Sequence, residues 1–282
     1  MTDTRPIGLI AGEGRLPVIV AEGMQQAGRN VVCVAFRGHA EEELAGHCDQ
    51  YRTVGLYRMS QWLRTLKRWG ATEAIMVGRV SKARMHDPLR LVRQIPDIRT
   101  ALLWYRRLRH DRRNATVLAA VADELNRGGI RLLDSTTFIQ DHMAETGVLG
   151  KVQPTDMQQG DITLGWPLLE QTVEMDIGQS MAIREGDVIA VEALEGTRGM
   201  IERAGSLCRR SGWTLLKTAK SNHDRRADVP TIGVQTIEEL AAAGAGCVAI
   251  GSERVILIDR PAVLETADKA GIAIVGMPAS GS

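Results

Sequence analysis

Short apolar runs alternate with helix-length amphipathic segments through the first half of the chain. The runs predict buried strands, and the segments between them predict helices, in the order strand 6–11, helix 17–26, strands 31–35 and 51–54, helix 59–69 and strand 74–77. Strands that alternate with helices predict an α/β domain with a parallel, doubly wound, Rossmann-like sheet. A basic helical stretch at 88–127 and a strand at 130–133 complete this domain.

A chain of 282 residues is about twice the usual length of one domain, so we expect two. The expected domains are a Rossmann-like N-terminal domain (1–135) and a C-terminal α/β domain (136–282). In the second domain the hairpin pattern of 180–192 recurs at 247–259, and each copy precedes a helix and a strand. This repeated β-β-α-β unit predicts a mixed sheet, with chance similarity between short hairpins as the competing explanation.

The net charge of +1 hides an asymmetry between the two halves. Residues 1–135 contain 22 lysines and arginines against 14 aspartates and glutamates, whereas the remainder contains 13 against 20. A basic half suits phosphates or an anionic surface, and an acidic half suits a divalent cation. Complementary faces of one interface between the halves explain the same distribution about as well.

Gly12, Gly14 and Pro17 lie between the first predicted strand and the first predicted helix. Backbone amides in this context favour a bound phosphate group, with a purely structural turn as the alternative. The third glycine of the dinucleotide fingerprint is absent, and the second strand is followed by Phe36-Arg37 rather than by an acid, which argues against a nicotinamide cofactor. A second candidate ligand loop, Gly78-Arg79-Val80-Ser81, follows the fourth strand.

Basic and aromatic residues are mixed in the helical stretch 102–113. Such a helix is most simply a solvated surface, and its alternative role is contact with an anionic membrane. No nucleic-acid-binding motif flanks it, so we expect no nucleic acid partner. No apolar run approaches the ~20 residues of a membrane-spanning helix, and residues 1–15 show no secretion-signal pattern.

The second half contains a polar loop, Lys220 to Pro230, directly after a predicted strand. A loop of this kind is either a solvated connection or a site, and its mixture of Lys, Arg and Asp favours a site. Cations can hold phosphate oxygens, while a carboxylate positions a metal ion or a water molecule. Carboxylates at nearby element ends, among them Asp176 and Glu192, suit Mg²⁺, which stabilises the charge that develops when a pyrophosphate is hydrolysed.

These segments resemble the LpxI-type UDP-2,3-diacylglucosamine pyrophosphatases of lipid A biosynthesis, over nearly the whole chain. The resemblance is carried by Gly8-Leu9-Ile10-Ala11-Gly12-Glu13-Gly14 with Leu16-Pro17, Gly78-Arg79-Val80-Ser81, Asp176-Ile177-Gly178-Gln179-Ser180, Ala190-Val191-Glu192-Ala193 with Glu195-Gly196-Thr197, and Arg226-Ala227-Asp228-Val229-Pro230-Thr231-Ile232-Gly233. The last two motifs are specific individually, and the others are specific only together.

The resemblance implies Mg²⁺-dependent (or Mn²⁺-dependent) hydrolysis of UDP-2,3-diacylglucosamine to UMP and 2,3-diacylglucosamine 1-phosphate. It implies that Asp228 is the catalytic aspartate of the second domain, and we expect Asp228, Glu192 and Asp176 to be metal ligands. We expect substrate contacts at Gly12, Gly14, Gly78, Arg79, Ser81, Gln179, Thr197, Lys220, Arg226 and Thr231. The implied location is cytoplasmic, in transient peripheral contact with the inner membrane, and an exposed sheet edge after Ile274 leads us to expect a homodimer.

Two positions depart from the family pattern. Arg198 follows Glu195-Gly196-Thr197 where the family commonly has Asp, and Lys220-Ser221-Asn222-His223 stands where it commonly has Lys-Pro-x-Gln. An exchange of Asp for Arg reverses the local charge in a site governed by charge. This exchange keeps an alternative function open, a non-hydrolytic binding or carrier protein for a glycolipid phosphate.

Overall fold

The computed structural model describes residues 5–80, 95–110, 114–220, 223–226 and 229–278. The chain divides into two compact units: unit 1 is Met1–Gln140 with the segment Asp224–Asp228, and unit 2 is Asp141–His223 with Val229–Ser282. The predicted site residues Ser81 and Asp228 lie outside the described residues.

Unit 1 contains a five-stranded, all-parallel sheet with the strand order β3-β2-β1-β4-β5. The strands are β1 (Ile7–Ala11), β2 (Val31–Phe36), β3 (Gln50–Val54), β4 (Glu73–Val77) and β5 (Arg131–Leu132). The helices are α1 (Leu16–Gln26), α2 (Met59–Arg68), α3 (Ile98–Leu103) and α4 (Asn114–Arg127), with a π-helical turn at Trp104–Leu108 and a 3₁₀ turn at Glu42–His47. A further 3₁₀ turn, Gln140–His142, begins at the last residue of this part of unit 1. The predicted Rossmann-like sheet is confirmed.

The strand order of unit 1 fixes where a ligand would meet this sheet. Every residue of β1 and β2 is buried, as expected for parallel strands that are covered on both faces. The direction of winding changes between β1 and β4, which are neighbours in the sheet. Open α/β sheets bind ligands at the carboxyl ends of the strands on either side of such a change. The loops that begin at Gly12 and Gly78 leave the sheet at this point.

Unit 2 contains a six-stranded mixed sheet with the order β6-β13-β11-β9-β7-β8 and a separate parallel pair, β10 and β12. The strands are β6 (Gly147–Val148), β7 (Ser180–Arg184), β8 (Asp187–Val191), β9 (Trp213–Lys217), β10 (Thr231–Ile232), β11 (Ala245–Gly251), β12 (Ile256–Leu257) and β13 (Ala273–Met277). The helices are α5 (Asp156–Glu174), α6 (Gly196–Leu207), α7 (Val234–Ala242) and α8 (Arg260–Ala270). β9, β11 and β13 pair in parallel, and β6, β7 and β8 pair antiparallel, which confirms the predicted mixed sheet.

The order strand-strand-helix-strand occurs twice in unit 2, but the two copies pair differently. β7 and β8 form the predicted antiparallel hairpin. The second predicted hairpin is wrong, because β12 pairs with β10 and the Ile256 amide donates to Pro230 O at 2.9 Å. The edge of β13 is not exposed either, since Val275 lies opposite Val148 of β6. The homodimer therefore stays a prediction without this support.

Helix α5 was not predicted from the sequence. Gly160, Gly165 and Pro167 interrupt its apolar pattern, although Thr155 and Gln158 form a capping box that marks its start. Its apolar residues pack against β7, β9 and β11, so tertiary burial rather than local propensity stabilises it. Neither this helix nor any other in the described ranges combines the length and the hydropathy needed to cross a bilayer.

Candidate functional site

In unit 1 the loops that follow β1 and β4 cross in direct backbone contact. The Gly12 amide donates to Val77 O at 2.9 Å. Glu13 and Arg79 exchange two backbone hydrogen bonds of 2.7 and 3.0 Å. A Cβ on Gly12 would lie 2.6 Å from Arg79 O, and a Cβ on Gly78 would lie 2.7 Å from Gly12 C. The crossing itself therefore requires glycine at both positions, and protein acceptors occupy the amides of Gly12 and Glu13.

Gly14 has different surroundings from the two crossing glycines. Its φ is +97°, and a Cβ built on it would meet no atom within 4 Å. It lies just before α1, which begins at Leu16 with Pro17 in its first turn. Among the predicted glycines of unit 1, Gly14 is the one whose backbone a phosphate group could approach.

The sequence analysis missed a histidine–glutamate pair at the same sheet edge. His39 follows β2, its Nδ1 lies 2.9 Å from Glu13 Oε1, and its side chain is 7% exposed. The rule that polar residues after neighbouring parallel strands meet at one edge could have found the pair. Glu13 is thus held by Arg79 through its backbone and by His39 through its side chain.

In unit 2 a lysine–threonine–glutamate network lies at one edge of the mixed sheet. Lys217, the last residue of β9, is buried, and its Nζ donates to Thr197 Oγ1 at 2.9 Å. Thr197 Oγ1 lies 3.2 Å from each carboxylate oxygen of Glu192. Ser180 of β7 lies opposite Lys217, and its carbonyl accepts the Glu192 amide at 2.9 Å. The sheet pairing thereby brings the ends of β8 and β9 and the first turn of α6 together.

The direction of the hydrogen bonds in this network follows from the chemistry of its ends. An ammonium group only donates and a carboxylate only accepts, so the Thr197 hydroxyl accepts from Lys217 and donates to Glu192. Removing an ammonium from water costs several kcal/mol unless polar partners replace the lost hydration. Lys217 was missed in the sequence analysis, and the signal for it was a lysine at the end of an otherwise apolar strand.

Asp176 pairs with Lys220 next to this network. Its carboxylate lies 2.7 Å from Lys220 Nζ. Asp176 has a φ of 58° and follows the last turn of α5, and the amides of Asp176 and Ile177 donate to Val173 O and Thr172 O. This is the Schellman position where helices commonly place glycine, so an aspartate here costs about 1 kcal/mol of backbone strain. A strained aspartate with a charged partner is a candidate functional residue.

A close backbone approach connects the Asp176 loop with Glu192. A Cβ on Gly178 would lie 2.0 Å from Glu192 O, so the two chain segments are in contact. The Gln179 carbonyl accepts the Thr218 amide at 3.1 Å. The structure therefore brings together five predicted or newly found side chains of unit 2: Asp176, Glu192, Thr197, Lys217 and Lys220.

Two other predicted substrate contacts have partners of their own. In unit 1, Arg226 holds Asp224 through two parallel hydrogen bonds, with Nε to Oδ1 at 2.8 Å and Nη2 to Oδ2 at 2.6 Å. The hydrogen bond to Asp224 also raises the pKa of Arg226. In unit 2, Thr231 begins β10 and lies opposite Ile256. The hydrogen bonds to Asp224 use Nε and Nη2, so a phosphate bound by Arg226 would share the guanidinium with Asp224.

Arg198, the departure from the family pattern, is engaged on the outer surface of α6. Its Nε lies 3.0 Å from Glu202 Oε1 and 3.6 Å from Glu239 Oε1. These glutamates raise the pKa of Arg198, the hydrogen bond to Glu202 most strongly. Among the described residues, no hydrogen bond or ion pair joins Arg198 to the Lys217–Thr197–Glu192 network, and the carrier function stays an alternative.

Among the described residues, the one group of three side chains able to hold a metal ion is Glu22, Glu43 and His47 in unit 1. Arg15 lies 2.6 Å from Glu43 and 3.7 Å from Glu22. A guanidinium in contact with both carboxylates disfavours a cation at this group, which is better described as an ion-pair cluster. None of the predicted metal ligands belongs to it.

Comparison with known proteins identifies the family. Family models described as the LpxI N-terminal domain and the LpxI C-terminal domain match residues 6–142 and 145–275. The UDP-2,3-diacylglucosamine pyrophosphatase LpxI of Caulobacter vibrioides is 31% identical, over 97% of this chain and 98% of that protein.

Solved structures give much weaker likenesses. The biotin carboxylase subunit of pyruvate carboxylase is 12% identical, with a TM-score of 0.27, and the match covers 73% of this chain and 42% of that one. A phosphoribosylglycinamide synthetase from Anaerococcus prevotii is 10% identical, with a TM-score of 0.25 over 74% of this chain and 44% of that one. The chain thus spans less than half the length of these structures. TM-scores this low do not indicate a shared fold. The sequence matches, by contrast, extend through both halves of the chain, which belongs to the LpxI family.

Proposed function

We propose that this chain is a UDP-2,3-diacylglucosamine pyrophosphatase of lipid A biosynthesis, which hydrolyses its substrate to UMP and 2,3-diacylglucosamine 1-phosphate. The substrate is inferred from the name of the Caulobacter relative. The structural observation that carries the proposal is the Lys217–Thr197–Glu192 network, because it orients a carboxylate within one of the most specific family motifs.

Pyrophosphate hydrolysis requires positive charge at the non-bridging oxygens and a water molecule held in line with the bond that breaks. Lys220 is partly exposed and can exchange Asp176 for a phosphate oxygen. Lys217 is buried and bonded to Thr197, so its role is to fix Thr197 and Glu192 rather than to meet the substrate. Asp228 positions the attacking water in this proposal, which rests on the motif Arg226–Gly233.

The donor chemistry of Glu192 fits Mg²⁺ or Mn²⁺. The Thr197 hydroxyl fixes its carboxylate, and no other hydrogen bond from the described residues reaches its two oxygens, whose remaining lone pairs can bind a hard cation. Mg²⁺ sites commonly use one or two carboxylates and complete their coordination with waters and substrate phosphates. An ion bound at Glu192 would neutralise charge on the pyrophosphate and lower the pKa of a bound water. Asp176 is the weaker candidate ligand in the protein without substrate, because Lys220 engages it there.

The substrate carries two acyl chains, so the protein must reach it at a membrane surface. We therefore propose a cytoplasmic enzyme in transient peripheral contact with the inner membrane. Substrate contacts at Gly14, Arg79, Gln179 and Thr231 remain part of the proposal.

The test is UMP release from UDP-2,3-diacylglucosamine in detergent with Mg²⁺. Asp228→Asn should lower the rate by about 10²–10⁴-fold, the usual range for a group that handles the reacting proton or water. Asp187→Asn, at an exposed aspartate of β8, is the matched control and should retain activity. EDTA should abolish release. An intact protein that releases no UMP and copurifies with a glycolipid phosphate would instead support the carrier function.

A further inference from the structure

Unit 1 exposes large apolar side chains along one helical face. Ile95 is 57% exposed, Ile98 81%, Leu102 43% and Tyr105 58%. Ile98, Leu102 and Tyr105 follow the i, i+4, i+7 spacing of one helix face, through α3 and into the π-helical turn. These four residues, here called the apolar stripe, face solvent, whereas a helix of a globular protein normally turns such a face toward the core.

A basic cleft of about 510 Å³ borders the stripe at Ile95 and Pro96. The cleft is lined by four arginines: Arg52, Arg58, Arg64 and Arg68. The acid in its lining is Asp97, whose carboxylate accepts the amides of Ser60 and Thr100 at 2.7 and 2.8 Å. Burial raises the pKa of Asp97, and these hydrogen bonds outweigh that effect and lower it. The carboxylate is thus committed to capping α3, and the cleft carries an excess of positive charge.

A second cleft, of about 610 Å³, borders the stripe at Ile98 and Leu102. It is lined by four further arginines: Arg99, Arg106, Arg107 and Arg127. Glu124 pairs with Arg99 at 2.9 Å and with Arg127 at 3.3 Å. Asp123 pairs with Arg107. The second cleft therefore adds apolar surface and a smaller excess of positive charge. The first cleft is the more cationic of the two.

We propose that the apolar stripe and its two arginine clefts form the surface by which the protein docks on an anionic lipid bilayer. The apolar side chains enter the boundary between headgroups and acyl chains, and the arginines of the first cleft bind lipid phosphates. Apolar residues flanked by long cationic side chains are the composition of helices that lie in the membrane interface. The proposal deepens the proposed function. It rests on that function only because the acylated substrate gives the protein a reason to contact a membrane.

Charge complementarity selects this occupant over two others. A second copy of the chain, related by a twofold axis, would bring one set of arginines against another. A nucleic acid would satisfy the arginines and could stack on Tyr105, but it would leave the aliphatic Ile95, Ile98 and Leu102 without an apolar partner. An anionic bilayer satisfies both the cationic clefts and the apolar stripe.

The test is flotation of the full-length protein, without substrate, on vesicles of phosphatidylethanolamine and phosphatidylglycerol. Binding should be strong on these vesicles, weak on phosphatidylcholine alone, and should fall as NaCl is raised, because salt screens surface charge. Combining Arg58→Gln, Arg64→Gln and Arg68→Gln should weaken partitioning on the order of 100-fold, from the known contribution of each basic residue near an anionic surface. Ile98→Ser with Leu102→Ser should also weaken it.

The matched control is Leu207→Ser with Arg210→Gln, at exposed positions of unit 2, and it should float like the parent. A parent protein that does not float, or arginine variants that float as well as the parent, would overturn the proposal. So would variants that lose self-association or RNA binding instead, measured by light scattering and by filter binding.

UMP release in detergent separates this proposal from the proposed function. Arginine variants that release UMP normally but no longer float would establish docking as a separate property. A parent protein that floats but releases no UMP would overturn the proposed function and leave the docking surface standing.

Discussion

Each unit gathers its candidate residues at a sheet edge, but the two edges are held together by different chemistry. In unit 1 the loops after β1 and β4 bind each other through their backbones, with Gly12 and Gly78 at the contact. In unit 2 the ends of β8 and β9 are joined by side chains, from Lys217 through Thr197 to Glu192. At the first edge the crossing leaves no space for a Cβ at Gly12 or Gly78, whereas the second edge depends on matched donors and acceptors.

This difference separates motif residues that the fold requires from motif residues that are candidates for the chemistry. Gly12 and Gly78 are explained by the loop crossing alone, so their presence is weak support for a bound phosphate, for which Gly14 is the candidate. A buried ammonium linked to a carboxylate is costly to form, and Asp176 occupies a strained position beside it. Costs of this kind are typical of functional sites, which makes unit 2 the stronger candidate for the chemistry.

The largest expected effect comes from adding one methyl group at the crossing. Gly78→Ala combines a φ of +95° with a Cβ 2.7 Å from Gly12 C, and should lower the free energy of unfolding by roughly 2–5 kcal/mol. Gly14→Ala has nearly the same φ but open space, and should lose only about 1–2 kcal/mol. Urea unfolding followed by circular dichroism measures both. Equal losses would show that the crossing is not what requires glycine at position 78.

The second prediction concerns the hydroxyl in the unit 2 network. Thr197→Val keeps the shape but removes the group between Lys217 and Glu192, at a cost of about 1–3 kcal/mol in stability. If Glu192 must be held in place, kcat should fall roughly 10–100-fold, the range for a lost supporting contact to a metal ligand. Thr197→Ser should retain most of the activity. Valine and serine variants with the same kcat would leave the network a purely structural role.

The third prediction ranks the two candidate metal ligands. Glu192→Gln should weaken Mg²⁺ binding on the order of 10-fold or more. Asp176→Asn should leave Mg²⁺ binding nearly unchanged, because Lys220 engages this carboxylate. Calorimetric titration with Mg²⁺ alone provides a measurement that does not depend on turnover. The ranking would be reversed if Asp176→Asn had the larger effect.

The smallest effect is expected at Arg198. Arg198→Asp restores the residue common in the family and removes the surface pairs with Glu202 and Glu239. Because this side chain is engaged outside the network, kcat and KM for the UDP substrate should stay at the parent values. A clear gain in kcat would show that the exchange at this position does reach the catalytic chemistry.

The sequence predicted the elements whose pattern is local. The strands that became β1, β2 and β4 are continuous apolar runs, and their alternation with helices was enough to predict a parallel sheet. Helix α5 was missed because Pro167 and the glycines of the helix interrupt its hydrophobic periodicity. Burial against β9 stabilises the helix without a regular periodicity. The second hairpin was wrong because β12 pairs with β10, a partner that its own sequence does not reveal.

The candidate site was predictable only in part, for the same reason. Asp176, Glu192, Thr197 and Lys220 were named from motifs, and the structure brings them close together in unit 2. Lys217 and the pair of Glu13 with His39 were missed, although each had a sequence signal, because their partners are distant in the chain. Arg226 was named for its positive charge, and in the structure its guanidinium pairs with the carboxylate of Asp224.

The sequence by itself determined the α/β class, the parallel sheet of unit 1, the family and the types of charged residue available for chemistry. Those properties follow from hydrophobic periodicity and from residue identity, which are local. The tertiary structure alone decided that Gly12 and Gly78 face each other, that Lys217 reaches Glu192 through a hydroxyl, and that the apolar stripe is exposed. These are contacts between residues distant in the chain, and strand pairing and burial set them.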